Sequence, residues 1–211
     1  MPIPPLAPPG APSVTVPLDG MAEVPNGTIV AVVTFLECRT RPVVPAEPAV
    51  VLEPIGPDEP QRFRALFRDV GTDWLWTSRL RYSDADIAGR IATPGIETRA
   101  IRLDGADVGL VETDTRERGS VEVVLFGLVP GAVGRGLGKA AFSRVVADAF
   151  DRHGVERVWL HTCTLDHPRA MGFYRSFGFR AFRRAIEIVP DPRLSGLMPA
   201  DAAADHPICA P

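Results

Sequence analysis

Apolar residues recur at two spacings along the chain, and the change from one to the other marks its predicted elements. A run rich in β-branched residues predicts a strand over residues 28–38. Apolar side chains three and four positions apart predict a helix over residues 58–70. Residues 83–91 begin with a serine and carry an aspartate three positions later, the spacing of a capping box, which predicts a short second helix.

The second half of the chain continues this alternation. Strands over residues 97–103 and 108–114 are predicted to form a hairpin, because Asp104-Gly105 between them favours a tight turn. Residues 121–129 are apolar on both faces apart from Glu122, as expected of a central strand. A helix, a strand, a helix and a strand are predicted to follow, over residues 139–153, 157–162, 168–177 and 179–189. This order predicts an α/β or α+β chain built on a mixed sheet.

Proline-rich segments lie at both ends of this region and inside it. The first 17 residues contain seven prolines, which cannot join a strand ladder. We expect residues 1–27 to be disordered and residues 28–189 to form one domain, with a proline-rich linker at 41–57. Residues 190–211 are expected to form a flexible C-terminal tail.

Composition and charge exclude several classes of function. A net charge of −3 provides no basic surface for nucleic acid. No apolar run reaches the roughly 18 residues of a membrane span, so neither nucleic acid nor a membrane is an expected partner. The three cysteines are widely separated and lack CxxC spacing, which argues against a disulfide framework and favours a cytoplasmic location.

Residues 131–141, with the sequence GAVGRGLGKAA, form a glycine-rich segment between a predicted strand and a predicted helix. Glycines alternate with other residues at 134, 136 and 138, and the only lysine of the chain, Lys139, follows them. A backbone without side chains lets main-chain amides approach a phosphate at the positive end of a helix. The segment therefore predicts a phosphate-binding loop.

Four kinds of phosphate-binding loop are candidates for this segment. A Walker A motif is excluded, because Val133 stands at its first glycine and Ala140 follows the lysine. A kinase glycine-rich loop needs several hundred residues after it, and about 70 remain. The dinucleotide pattern GxGxxA matches Gly136, Gly138 and Ala141, but the next predicted strand does not end in an acidic residue. An NAD-binding Rossmann protein stays an alternative.

The fourth kind is the pyrophosphate loop of acetyl-CoA, and here the sequence resembles the GCN5-related N-acetyltransferase (GNAT) superfamily. The family's loop, (Gln/Arg)-x-x-Gly-x-(Gly/Ala), aligns with residues 133–138, and Val133 departs from its first position. His167 stands where the late helix of the family usually begins with asparagine. The residues that match the pattern of this helix are Ala170, Phe173, Tyr174, Gly178 and Phe179. The resemblance implies a mixed, mostly antiparallel central sheet flanked by helices, with a splayed central strand.

The resemblance also implies acetyl-CoA as the co-substrate and names the residues that bind it. The Phe126 amide is expected to face the acetyl carbonyl, and the Leu128 backbone is expected to pair with pantetheine. Gly127 between them either eases the bulge that splays this strand or makes a close packing contact. The expected diphosphate-binding residues are Val133, Gly134, Arg135, Gly136, Leu137, Gly138 and Lys139.

Three residues are candidates for proton transfer. Glu122 is an isolated carboxylate in an apolar strand, 11 residues before Val133, where some family members carry a catalytic glutamate. It is either the base or a solvated residue at the strand start. Tyr174 aligns with the family residue near the CoA sulfur and either donates a proton to the leaving thiolate or is a core tyrosine. His161 is an alternative base.

Trp74 and Trp76 lie between the two early helices, a region that borders the acceptor in the family. They either bind an apolar or aromatic amine or pack against the core. Cys163 lies near histidines and Asp166, but their strand spacing does not favour a zinc site, so no metal is expected. Acetyl transfer through a cysteine nucleophile belongs to another fold, which has no glycine loop.

The sequence thus predicts an N-acetyltransferase that moves an acetyl group from acetyl-CoA to a small-molecule amine by direct transfer in a ternary complex. The first alternative is a catalytically silent GNAT fold that binds acyl-CoA as a sensor or interaction module. A protein-acetylating enzyme is a further alternative. A free sheet edge could pair two copies into a homodimer.

Overall fold

A seven-stranded sheet forms the centre of the protein. The computed structural model describes residues 19–45 and 50–211. The strands are β1 (Thr28–Cys38), β2 (Val51–Pro54), β3 (Ile96–Leu103), β4 (Ala106–Asp114), β5 (Ser120–Leu128), β6 (Arg157–Cys163) and β7 (Arg180–Pro190). The helices are α1 (Pro60–Gly71), α2 (Asp84–Ile91), α3 (Leu137–Phe150) and α4 (Ala170–Ser176), with 3₁₀ turns at Thr72–Trp74 and Pro130–Ala132.

The strands lie in the order β2-β3-β4-β5-β6-β1-β7, and each neighbouring pair is antiparallel except β5 and β6. Helices α3 and α4 cover one face, where Phe142 is central to a buried apolar cluster. Helices α1 and α2 cover the other, around Phe67. We call these the α3 face and the α1 face. The predicted fold class, a mixed and mostly antiparallel sheet flanked by helices, is confirmed.

Local sequence signals determine several element boundaries. β1 spans the predicted residues, and the capping box forms: Ser83 accepts from the Asp86 amide at 3.1 Å and its own amide donates to Asp86 at 3.0 Å. Asp104 and Gly105 have φ of 50° and 81°, as a two-residue hairpin turn with positive φ requires. β2 instead lies within the predicted linker, at an edge of the sheet where proline is tolerated.

β5 and β6 pair over a short distance and then separate. Their ladder runs from Ser120 opposite Arg157 to Val123 opposite Leu160. Val124, the next residue of β5, forms a bulge. Val123 and Leu125 on either side of it pair with Thr113 and Glu112, which are consecutive in β4, so Val124 has no partner there. β6 then continues beside β1 while β5 stays with β4. The resulting gap is the predicted splay of the central strand.

Residues 191–211 pack against the domain, which differs from the flexible tail expected from their composition. Asp191 and Arg193 form an ion pair at 2.7 Å with both side chains almost fully buried. Arg193 also donates to three backbone carbonyls of the segment, and Met198 is buried in an apolar cluster with Ile29. These contacts hold a series of turns, and turns have no periodic pattern from which packing could be predicted.

The N-terminal prediction falls mostly outside the described residues, which begin at residue 19. The limits proposed for the domain therefore stay a prediction. Between residues 19 and 45 and from 50 onward, the helices are all too short or too polar to cross a membrane.

Candidate active site

The gap between β5 and β6 opens into a cavity of about 1340 Å³. At one end it is lined by the glycine-rich loop, including Gly134 and Lys139. At the other end, on the α1 face, it is lined by Trp76 and His161. The cavity exceeds the roughly 300–1,000 Å³ of a typical small-ligand pocket, so it has room for an extended ligand and a second molecule.

The glycine-rich loop presents unbonded main-chain amides to one end of the cavity. Gly134 and Gly136 have φ of 84° and 79°, a left-handed conformation that favours glycine. Gly136 is the N-cap of α3 and has no side chain to accept from the first turn. Within the described part of the chain, the amides of residues 134–139 donate to no main-chain acceptor. Such amides at a helix N-terminus fit a diphosphate.

The side chains of the loop differ in what they face. Val133 and Lys139 line the cavity, whereas Arg135 is exposed and is not among the residues that line it. Leu137 is 2% exposed and belongs to the core, so only its amide is available to a ligand. Lys139 is therefore the loop cation that borders the cavity.

β5 directs the main chain of two residues into the gap. The Val129 amide donates to the Val108 carbonyl at 3.0 Å, and the direction of hydrogen bonding alternates along an antiparallel strand. The main-chain groups of Phe126 and Leu128 therefore point away from β4 and toward the gap. This is the orientation that their predicted role requires.

Gly127 is a position of close packing. A Cβ there would lie 2.3 Å from Val70 Cγ1 and 3.3 Å from the Cη2 atom of Trp76. The bulge lies at Val124 instead. Of the two explanations proposed for this glycine, the structure shows the packing contact.

His161 and Glu122 are neighbours on the α1 face, but only His161 lines the cavity. Glu122 is 5% exposed, and its Oε1 lies 3.6 Å from the Nδ1 of His161. Neither atom has a hydrogen-bond partner among the described residues. The structure therefore places Glu122 behind His161. It is buried and does not border the cavity, which differs from the solvated strand-start residue proposed as one of its two roles. Its role as the base stays a prediction.

An ion pair lies next to Glu122 on this face. Asp114 is its partner across β4 and β5, and the Asp114 carboxylate lies 2.5 Å from Arg116. The hydrogen bond from Arg116 to Asp114 is the main cause of the raised pKa of Arg116, and the negative charge of Glu122 adds to it. Arg116 is thus near enough to Glu122 for their charges to interact, while its guanidinium pairs with Asp114.

Tyr174 on α4 lines the cavity on the α3 face. Its ring centroid lies 5.3 Å from that of Phe142 and 5.4 Å from that of Phe173. Burial, and after it the negative charge of Asp166, raises the pKa of Tyr174 above its usual value. Since that usual value is about 10, the phenol is protonated at neutral pH and can act as a hydrogen-bond donor.

The chain matches the family model described as acetyltransferase (GNAT) family over residues 63–179. This match covers more than half of the 211 residues and includes the split strand, the glycine-rich loop and α4. The chain belongs to the GNAT family of acetyltransferases. No curated protein sequence matches it.

Solved GNAT structures share the fold of this protein. A GNAT-family protein from Novosphingobium aromaticivorans is 21% identical, with a TM-score of 0.56 over 83% of this chain and 69% of its own. A GCN5-related N-acetyltransferase from Kribbella flavida is 21% identical, with a TM-score of 0.54 over 81% and 63%. An acetyltransferase from Thermus thermophilus is 19% identical, with a TM-score of 0.53 over 68% and 97%. At these identities the likeness shows the fold.

The loop between α1 and α2 borders the α1-face end of the cavity in this GNAT protein. Trp74 and Trp76 both line it. The Trp76 Nε1–H donates to Asp166 at 3.3 Å, and the ring of Trp74 lies 5.1 Å from that of His167. Both indoles therefore form the cavity wall and also attach this loop to the turn after β6.

A buried charge cluster beneath this loop is absent from the sequence-based predictions. Glu112 on β4 is fully buried and lies 3.0 Å from Arg79 and 2.5 Å from Arg90. Because Arg79 belongs to the loop and lines the cavity, the cluster attaches the cavity wall to the sheet. Burial raises the pKa of Glu112, but the hydrogen bond from Arg90 and the charge of Arg79 outweigh it, so the pKa is lowered overall.

Cysteine chemistry finds little support in this GNAT site. Cys163 lines the cavity, and burial, followed by the charge of Asp166, raises its pKa to about 12. A thiol that is protonated at neutral pH is a poor nucleophile. Over the residues that the structure describes, no group of three or more His, Cys, Asp or Glu side chains could hold a metal ion.

Proposed function

We propose that this GNAT protein transfers an acetyl group from acetyl-CoA to an amine of a small-molecule acceptor, directly and within a ternary complex. The proposal rests on one observation: a single cavity joins the glycine-rich loop with its unbonded amides, the open edge of β5 and the imidazole of His161. Direct transfer needs both reactants held in contact in one space.

The residues of the chain fit coenzyme A from its diphosphate to its sulfur. The amides of residues 134–139 would bind the diphosphate, and Lys139 would add a positive charge. The main chain of Leu128 would pair with the pantetheine as a neighbouring strand does, and the Phe126 amide would donate to the acetyl carbonyl oxygen. Acetyl-CoA supplies an acetyl group activated as a thioester.

In this proposal, two side chains on the cavity wall take part in proton transfer. His161 would accept the proton of the acceptor ammonium and so release the neutral amine. Glu122, 3.6 Å behind its Nδ1, would orient the ring and stabilise its positive charge. Contacts of this kind are often long without substrate and shorten in the complex. Tyr174 would donate a hydrogen bond to the leaving thiolate. This assigns the base to His161 and a positioning role to Glu122.

The walls of the α1-face end support a small acceptor. Trp74 and Trp76 border this end on one side, and Glu187 of β7 and Pro192 of the C-terminal segment border it as well. A polypeptide acceptor would need a groove through which its chain enters and leaves. The C-terminal segment instead occupies part of the surface next to the site.

A thiol-release assay tests this proposal. Acetyl-CoA is mixed with the protein and a panel of primary amines, and in parallel with peptides that carry lysine or a free N-terminus. We expect release of CoA thiol with at least one small amine and background rates with the peptides. Release with peptides alone would contradict the proposed acceptor class.

A thermal-shift measurement with CoA, acetyl-CoA and NAD separates binding from turnover, because a ligand of the native state raises Tm. Stabilisation by acetyl-CoA without thiol release from any amine would favour an acyl-CoA-binding module. The GNAT fold excludes the Rossmann alternative, so stabilisation by NAD and not by acetyl-CoA would contradict the proposed co-substrate.

A further inference from the structure

β7 is a long, exposed strand at the edge of the sheet. It is the last strand in the sheet order, and the residues from Arg180 to Glu187 are all exposed. Among the described residues, no strand pairs with its outer side. Ile186 is 45% exposed, and Val32 opposite it on β1 is 41% exposed. An unpaired edge of this length presents main-chain N–H and C=O groups with which another strand can pair.

One hydrogen bond shows which main-chain groups of β7 point outward. The Asp191 amide donates to the Gly27 carbonyl at 2.9 Å, one residue beyond the ladder of β1 and β7. Because the direction alternates along the strand, the odd-numbered residues from 183 to 189 turn their main-chain groups toward β1. Pro190, which lacks an N–H, occupies an outward position, where proline is tolerated. The other outward residues are Arg184, Ile186 and Ile188.

Charged side chains along β7 favour one register with a second copy of the strand. Arg183 and Glu187 lie on the same face, two positions on either side of Ala185, and neither forms an ion pair with a described residue. The Arg183 guanidinium lies 3.7 Å over the ring of Phe35. In an antiparallel pair with a two-fold axis at Ala185, Arg183 of each copy would face Glu187 of the other.

Neighbouring registers lack this complementarity. An axis at Arg184 would place two arginines directly opposite each other, and an axis at Glu187 would do the same with two glutamates. Like charges in directly opposed positions are destabilising. An axis at Ile186 would leave Arg183 and Glu187 opposite uncharged residues.

The register centred on Ala185 also satisfies the outward main-chain groups. It places Arg184 of one copy opposite Ile186 of the other, and both turn their N–H and C=O groups outward, so they would exchange hydrogen bonds. Arg183 and Glu187 then occupy a non-hydrogen-bonded pair, where opposed side chains lie closest. Charge and hydrogen-bond direction thus favour the same register.

We propose that two copies of this protein associate through β7, with the two-fold axis at Ala185, to form one continuous sheet. The N-terminal segment is the other candidate to cover this edge, but its first 17 residues contain seven prolines, and each proline removes a donor from a ladder. Glu187 also lines the cavity, so the interface lies beside the α1-face end of the site.

Charge reversal of single residues tests this interface by sedimentation velocity. The wild-type protein is expected to sediment as a dimer of about 46 kDa, twice the 22.8 kDa of the chain. Arg183→Glu and Glu187→Arg each create two like-charged contacts across the axis and are each expected to raise the dimer Kd by roughly tenfold or more. The double variant R183E/E187R exchanges the charges and is expected to restore the dimer.

Arg118→Glu is the matched control, because it makes the same change in net charge at an exposed residue between β4 and β5 and is expected to leave the dimer unchanged. Circular dichroism verifies that each variant is folded. Arg183→Glu also removes the contact of Arg183 with the Phe35 ring, whereas Glu187→Arg reverses a charge at the interface and keeps that contact. A monomeric wild-type protein would overturn the proposal. So would a dimer that tolerates both single reversals, or single variants that the double variant fails to rescue.

Discussion

Replacing His161 with glutamine is expected to lower kcat by about 10²–10⁴-fold, the usual contribution of a general base, while leaving the affinity for acetyl-CoA nearly unchanged. The physical reason is position. His161 lines the cavity at the end away from the glycine-rich loop, so its loss removes proton transfer without removing the diphosphate-binding amides. Steady-state kinetics with an identified amine and calorimetric titration with acetyl-CoA measure the two effects separately.

Glu122→Gln tests the other member of the pair formed by His161 and Glu122. Because Glu122 acts through His161, we expect a smaller loss of kcat, roughly tenfold to hundredfold, as for one hydrogen bond to a charged group. Combining both substitutions should give little further loss beyond His161→Gln, since the carboxylate has no function without the ring. If Glu122→Gln proves more damaging than His161→Gln, the carboxylate is the base and the assignment of that role to His161 is wrong.

Replacing Glu112 with glutamine is expected to lower the free energy of unfolding by about 3–5 kcal/mol, as breaking a buried ion pair usually does. The substitution leaves the guanidinium groups of Arg79 and Arg90 next to a neutral amide, and Arg79 has 2% of its side chain exposed. At roughly 2–4 °C per kcal/mol for a domain of this size, Tm should fall by about 6–20 °C. Urea denaturation measures the change directly.

Asp151→Asn is the control for this loss of stability, because Asp151 pairs with Arg41 at 2.9 Å on the surface, where both side chains are more than half exposed. A surface ion pair contributes about 0–1 kcal/mol, so the control should lose far less stability than Glu112→Gln. Equal losses in the two variants would show that the buried cluster has no special role in holding the loop to the sheet.

The stabilisation from Glu112 also depends on pH in a defined direction. Its pKa is lowered in the folded protein, so its contribution is fully present above the unfolded-state value of about 4.3 and is lost as the pH falls below that value toward the folded-state pKa. The difference in stability between wild type and Glu112→Gln should therefore narrow on acidification through this range. A difference that stays constant to pH 3 would contradict the charge-based explanation.

Elements with local signals could be predicted from the sequence. The strand at residues 28–38, the capping box of α2 and the positive-φ turn at Asp104-Gly105 each depend on residues close together in the chain. The C-terminal segment depends on Arg193, whose guanidinium contacts the side chain of Asp191 and carbonyls up to 13 residues away. Such contacts leave no periodic pattern, so composition alone suggested a flexible tail.

The glycine-rich loop could be identified because its requirements are those of the main chain, and glycine shows them in the sequence. The sequence does not distinguish the proton-transfer residues in the same way. An acidic residue in an apolar strand indicates a buried charge, but Glu122 and Glu112 carry the same signal and have different surroundings in the structure. The surroundings of each carboxylate depend on side chains from α2, β6 and the loop after α1. These residues are far apart in the sequence, so the sequence does not reveal which of them each carboxylate contacts.

A crystal structure with bound acetyl-CoA tests the central claim most directly. The diphosphate is expected within hydrogen-bonding distance of the amides of residues 134–139, with the acetyl carbonyl at the Phe126 amide and the sulfur beside Tyr174. Acetyl-CoA bound outside this cavity, or bound with its diphosphate away from the amides of residues 134–139, would contradict it.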